Sequence, residues 1–248
     1  MGHHVIANEF ARDGFSIVRQ LLSQSEVAEI DSQLTDFIKH VAPRLNEGEV
    51  YYEDSPLRPV KAMHGMNRHS EFFNKLRGHE KILSIIRTIW PEGDIIQEAV
   101  SYFGKPARDG SVTPPHQDNY FQHWVPPLAL TVTISIDLST PDNGALIVAG
   151  GSHKKLFPHH PSGVMGFSMT MDDPVDTSQY PEQHLVLQPG DITLHHIMVI
   201  HRSEPNRSDH PRRQLAMGYR SSLAKKDELA AARHKRTLEE LHEKHIAR

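Results

Sequence analysis

The chain has 248 residues, 38% hydrophobic and 23% charged, with a formal net charge of −4 and no cysteine. This composition suits a folded chain with a substantial core, argues against disorder, and offers no basic excess for nucleic acid. Disulfides and thiol chemistry are excluded, so any metal must rest on histidine and carboxylate, a donor set that suits iron, manganese or zinc.

The opening "MGHHVIANEF" lacks the apolar centre of a signal peptide, and no run is apolar enough for a membrane span, so a cytoplasmic protein is expected. "GFSIVRQLL" (14–22) predicts a short strand. A helix follows over 23–41: Ser23 and Glu26 have capping-box spacing, and Val27, Ile30, Leu34, Phe37 and Val41 recur at helical spacing. Residues 43–69 are loop-rich, with a strand near Val60. A second helix spans 70–90, broken near Gly78 and ended by Pro91 and Gly93.

Beyond residue 94 the texture changes. "DIIQEAVSYFG", "LALTVTISIDL", "GALIVAG", "QHLVLQ", "DITLHHIMVIHRS" and "RQLAMGYRSS" are short β-branched and aromatic runs separated by turn residues. That pattern predicts an antiparallel sandwich or barrel. The longest connection within it, 151–182, is expected to serve as a lid or pocket wall. Residues 224–248 predict a charged, solvated helix. The expected fold class is α+β: a jelly-roll β core at about 94–222 with N-terminal helices packed on it and a C-terminal helix, as one domain over 1–248.

Within this frame "TPPHQDNYF" (113–121) places His116 and Asp118 one residue apart. In a chain with 19 histidines about one such pair arises by chance, so alone it carries little weight. On a strand, however, residues i and i+2 face the same way. His201, at the end of "DITLHHIMVIH", supplies a third ligand on another strand, and two histidines with one carboxylate form a facial triad that leaves three positions open on octahedral Fe(II). A bidentate 2-oxo acid fills two and O2 the third. Its distal carboxylate then needs a cation, for which the planar fork of arginine is suited, and Arg212 opens the next strand.

These segments resemble the phytanoyl-CoA dioxygenase-like family of the Fe(II)/2-oxoglutarate-dependent oxygenase superfamily, over about residues 8–222. The likeness is carried by "FARDGFSIVRQLLSQSEV", "PPHQDNYF", "DNGALIVAGGSHK" and "LQPGDITLHHIMVIHRSEPNRS…RR". It implies a double-stranded β-helix, His116, Asp118 and His201 as iron ligands, and Arg212 as the 2-oxoglutarate anchor, with Arg213 as the alternative. It further implies cosubstrate-pocket roles for Ser203, Thr131 or Thr133, Gln97 and Lys61. Thr133, where many relatives have tryptophan, widens the pocket, and Asp118 argues against a halogenase.

The other histidines have plainer readings. Of His195 and His196 one ring is expected to pack in the core and the other to bond a backbone group, His153 to sit in a turn, and Asn206 to bond its own backbone; His159 and His160 lie in the expected lid. The activity expected is oxidation of a small molecule with O2 and 2-oxoglutarate, giving succinate and CO2, with hydroxylation as the default outcome. Lys61, His64 and Arg68 with Asn119 and Tyr120 suggest an anionic or zwitterionic substrate. No nucleic acid or membrane partner is expected, and the protein is a monomer or homodimer. Two competing readings are a redox-inactive Zn or Mn hydrolase or isomerase, which has no need of Arg212, and a non-catalytic 2-oxo-acid binder.

Overall fold

The computed structural model describes residues 2–164, 167–171 and 179–246. In chain order its elements are α1 (His3–Asp13), β1 (Phe15–Val18), α2 (Gln24–His40), β2 (Val50–Tyr52), β3 (Val60–Met63), α3 (Glu71–Leu76), α4 (Glu80–Ile89), β4 (Ile95–Lys105), β5 (Thr113–His116), α5 (Asn119–Gln122), β6 (Trp124–Val125) and β7 (Ala129–Ser135). There follow β8 (Leu146–Ala149), β9 (His159–Val164), β10 (Phe167–Met171), β11 (Glu182–His184), β12 (Ile192–His196), β13 (Ile200–Ser203), β14 (Arg212–Ser221), β15 (Lys225–Lys226) and α6 (Glu228–Ile246). No described helix is long and apolar enough to cross a membrane.

The strands form an α+β jelly roll. One sheet has seven strands in the order β1-β12-β7-β14-β4-β3-β2, and a second has four in the order β11-β8-β13-β5. The non-consecutive order means that the chain crosses repeatedly between sheets, so residues far apart in sequence meet on one inner face.

Helices α1 to α4 cover the outer face of the larger sheet. In α2 the capping box forms, with Ser23 Oγ accepting from the Glu26 N–H and Glu26 accepting from the Ser23 N–H. Its apolar stripe Val27, Ile30, Leu34 and Phe37 is buried, as the helical spacing predicts. These side chains join Ile82, Ile85 and Ile86 of α4 in one core with the outward residues of the sheet, among them Val132 and Ile134 of β7, Ile192 and Leu194 of β12, and Leu215, Met217 and Tyr219 of β14. The strand period of two then sends Thr131, Thr133, His195, Gln214 and Ala216 to the other face.

Several local expectations change. An N-terminal helix, α1, precedes β1; it buries Ile6 and Phe10 and stops at Gly14, whose φ of +80 only glycine adopts readily. The 70–90 helix is two helices, broken at Gly78 as expected. The 151–182 connection contains strands: β9 and β10 pair with each other, and Thr170 Oγ1 donates to the Pro115 carbonyl, so this hairpin braces β5. None of its described residues lines the central cavity. Residues 165–166 and 172–178 of that connection lie outside the described residues. The C-terminal helix begins at Glu228.

Candidate metal centre

His116 ends β5 and pairs in register with His201 on β13, which places the two imidazoles side by side with ring centroids 4.2 Å apart. Asp118 reaches them by a different route from the one expected. It is not on the strand: its backbone is helical (φ −56, ψ −33) at the start of α5. The turn from strand into helix, rather than the pleat, brings its carboxylate back onto the histidines.

One ligand atom from each of His116, Asp118 and His201 lies within 4.8 Å of the other two. Asp118 Oδ1 is 3.6 Å from His116 Nε2 and 3.5 Å from His201 Nε2. On the far side of each ring, Nδ1 meets a backbone carbonyl: Pro114 at 2.8 Å for His116 and Val199 at 3.1 Å for His201. A carbonyl accepts only from a protonated Nδ1, so Nε2 carries the free lone pair, the form a metal needs. Burial pushes His201 down to about 3, keeping it neutral. Burial acts to raise the Asp118 carboxyl, but His201, His116 and His195 around it outweigh burial and hold it well below the usual range. Two neutral imidazoles and one carboxylate form a donor set that fits Fe(II).

The triad lies in a cavity of about 520 Å³ between the sheets, lined also by Thr113, Thr131, Thr133, His195, Ser203, Arg212 and Gln214 at depth, and by His64, Glu98, Phe121, Gln122, Trp124 and Lys226. Arg212 is buried, and its Nη1 donates to Gln214 Oε1 at 2.5 Å. Among the described residues it has no carboxylate in ion-pair reach, and burial draws its guanidinium down to about 10. Arg212 Nε and Gln214 Nε2 are buried donors with no acceptor among the described residues. Native interiors rarely leave such donors unmet, so this end of the cavity fits the carboxylate of a ligand. Arg213 points the other way, its Nε and Nη2 paired to Asp137 and its Nη1 to Asp31.

The structure brings together His116, Asp118, His201, Arg212, Ser203, Thr131 and Thr133, but not every residue expected here. Gln97 is absent from the lining: it is one position out of phase with Glu98, and its amide lies near Gly78 on the helix side. Lys61 is also absent; it is out of phase with Ala62, the register partner of the lining residue Phe103. Arg68 is exposed and bonds Glu49, and Asn119 is bonded to the backbone of Trp124. His159 accepts from the Gln117 N–H and stacks on Tyr120. His196 accepts from the Met198 N–H and packs beside Phe10, as a core histidine should. Asn206 Oδ1 accepts from the Ser208 N–H. His195 is the correction among the histidines: it lines the cavity, with Nε2 3.7 Å from Asp118 Oδ2. The alternation of Ile192 and Leu194 outward with Thr193 and His195 inward was the signal for it.

The family model of phytanoyl-CoA dioxygenase matches residues 10–214. A probable alpha-ketoglutarate-dependent hypophosphite dioxygenase of Stutzerimonas stutzeri is 25% identical, the match covering 87% of this chain and 78% of that protein. A phytanoyl-CoA dioxygenase domain-containing protein 1 homolog of Caenorhabditis elegans is also 25% identical, covering 84% and 87%. Among solved structures the non-heme alpha-ketoglutarate-dependent epimerase SnoN from nogalamycin biosynthesis superposes with a TM-score of 0.73 at 21% identity, over 90% of this chain and 84% of that one. The chain therefore belongs to the phytanoyl-CoA dioxygenase family and is an Fe(II)- and 2-oxoglutarate-dependent dioxygenase.

Proposed function

We propose that His116, Asp118 and His201 hold Fe(II), that Arg212 anchors the distal carboxylate of 2-oxoglutarate, and that the enzyme hydroxylates a C–H bond of a small polar metabolite. One observation carries this reading: the triad shares one cavity with a buried arginine that has no carboxylate partner among the described residues. When bound, iron, 2-oxoglutarate and O2 together supply the oxidising power, with succinate and CO2 released.

The chain's own residues bind, orient and exclude water. Arg212 and Gln214 offer Nε and Nε2 to the cosubstrate carboxylate, and Ser203 and Thr133 line the same deep region. Phe121 packs edge-on against His116 and lines the same cavity. At the mouth, Trp124 is flanked by Arg220 and Lys226, with Glu98 bonded to Arg220. Both charge signs beside an aromatic face suit an anionic or zwitterionic substrate. The volume supports a small one, since about 520 Å³ is in the range of a single small-molecule site and must hold the cosubstrate as well. A relative named for hypophosphite agrees with a small polar substrate.

The test is a metabolite screen that reads succinate formed with Fe(II), O2 and 2-oxoglutarate above the uncoupled background. A small anionic or zwitterionic compound should raise succinate and be consumed in equal amount. If only long acyl chains do so, the substrate assignment is wrong; if oxygen uptake never depends on 2-oxoglutarate, the cosubstrate assignment is wrong.

A further inference from the structure

A fourth imidazole stands beside the triad, and the mechanism above gives it no task. His195 of β12 is buried, lines the cavity, and pairs in register with Thr131 of β7. It is not one of the three residues whose ligand atoms cluster within 4.8 Å. It approaches the other oxygen of the same carboxylate: His195 Nε2 is 3.7 Å from Asp118 Oδ2, whereas both clustered histidines approach Oδ1. Thr131 Oγ1 donates to that same Oδ2 at 3.1 Å.

The tautomers differ in a telling way. His116 and His201 each have a carbonyl at Nδ1, which puts the proton there and the lone pair on Nε2. His195 Nδ1 is buried with no partner among the described residues. A proton there would be a buried donor without an acceptor, so the surroundings favour the proton on Nε2, facing Asp118.

We propose that His195 is a positioning residue: with Thr131 it occupies Asp118 Oδ2, leaving only Oδ1 for the metal and so holding the carboxylate monodentate. A monodentate carboxylate takes one coordination position instead of two, which keeps three open for cosubstrate and O2. This rests on the reading of His116, Asp118 and His201 as metal ligands.

Cobalt(II) is a direct probe, because its visible absorption reports both binding and coordination. His195→Phe, which keeps a planar ring but no donor, should weaken Co(II) binding by about tenfold or more and alter the absorption bands, the range found when partners of metal ligands are removed. His195→Gln, which restores an N–H, should recover most of both. Wild-type affinity and spectrum in His195→Phe would overturn the proposal, and so would failure of His195→Gln to recover, since the ring itself would then be what matters. A second measurement needs no variant: nitrogen-15 NMR of the Zn(II)-loaded protein should show His195 protonated on Nε2, and a proton on Nδ1 alone refutes the role. If His116→Ala and His201→Ala also bind Co(II) like the wild type, the metal centre itself is misassigned, an outcome distinct from loss of the His195 role alone.

Discussion

The two faces of β14 carry neighbouring arginines with opposite fates. Arg212 faces the cavity, buried and without a carboxylate in reach among the described residues, its guanidinium drawn down to about 10 by burial. Arg213 faces outward, and the hydrogen bonds it donates to Asp137 and Asp31 raise its pKa against the cost of burial. The same alternation separates Gln214, Ala216 and Gly218, which line the cavity, from Leu215, Met217 and Tyr219, which pack under the helices. On the outer face of β14 the polar side chains meet partners, Arg213 its two aspartates and Tyr219 the Arg77 carbonyl, because that face serves cohesion. The inner face leaves Arg212 Nε and Gln214 Nε2 without an acceptor among the described residues, as the proposed cosubstrate site requires. An unpaired buried cation costs stability, so it persists only where something else repays the fold.

If this division is right, inner-face changes cost function and spare the fold, and outer-face changes do the reverse. The largest effect is expected for His201→Ala, which should reduce 2-oxoglutarate-dependent succinate formation to background while metal-free thermal unfolding stays close to wild type. Substantial metal-dependent turnover in that variant would remove His201 from the ligand set. Next comes Met217→Ala on the outer face. Met217 is wholly buried, so truncation should lower unfolding free energy by about 2–5 kcal/mol in urea titrations, with the Michaelis constant for 2-oxoglutarate unchanged in the folded fraction.

Arg212→Ala should raise that Michaelis constant roughly 30-fold, about 2 kcal/mol, because a carboxylate would lose its charged donor in a closed site. Metal affinity should hold, and metal-free stability should be equal or higher, since the change removes a buried unpaired charge. A marked loss of stability would show that Arg212 belongs to the structural face after all. The smallest effect is Arg213→Ala. Its ion pairs are only partly buried, so about 1 kcal/mol of stability should be lost with steady-state kinetics unchanged. A large kinetic effect there, with none at Arg212, would exchange the two faces.

The sequence by itself determined the fold class and the chemistry of the site. The helical spacing in 23–41 and the β-branched runs after 94 are local patterns, and they correspond to α2 and to the strands of the two sheets. A chain without cysteine had to use histidine and carboxylate for metal, and few places combine them. What the tertiary structure decided was phase and neighbourhood. Local spacing does not say where a strand ends, so the expected pleat for His116 and Asp118 gave way to a strand-to-helix turn. Nor does it say which face of a strand meets the cavity: a slip of one residue exchanges the faces, which is why Gln97 and Lys61 fall outside the lining while Glu98 lies within it. His195 read as one more core histidine because its partner Asp118 is distant in sequence, and only the antiparallel register of β12 with β7 brings ring, threonine and carboxylate together. Local physics is written in the order of the chain, whereas the identity of a residue's partners is set by the crossings between sheets.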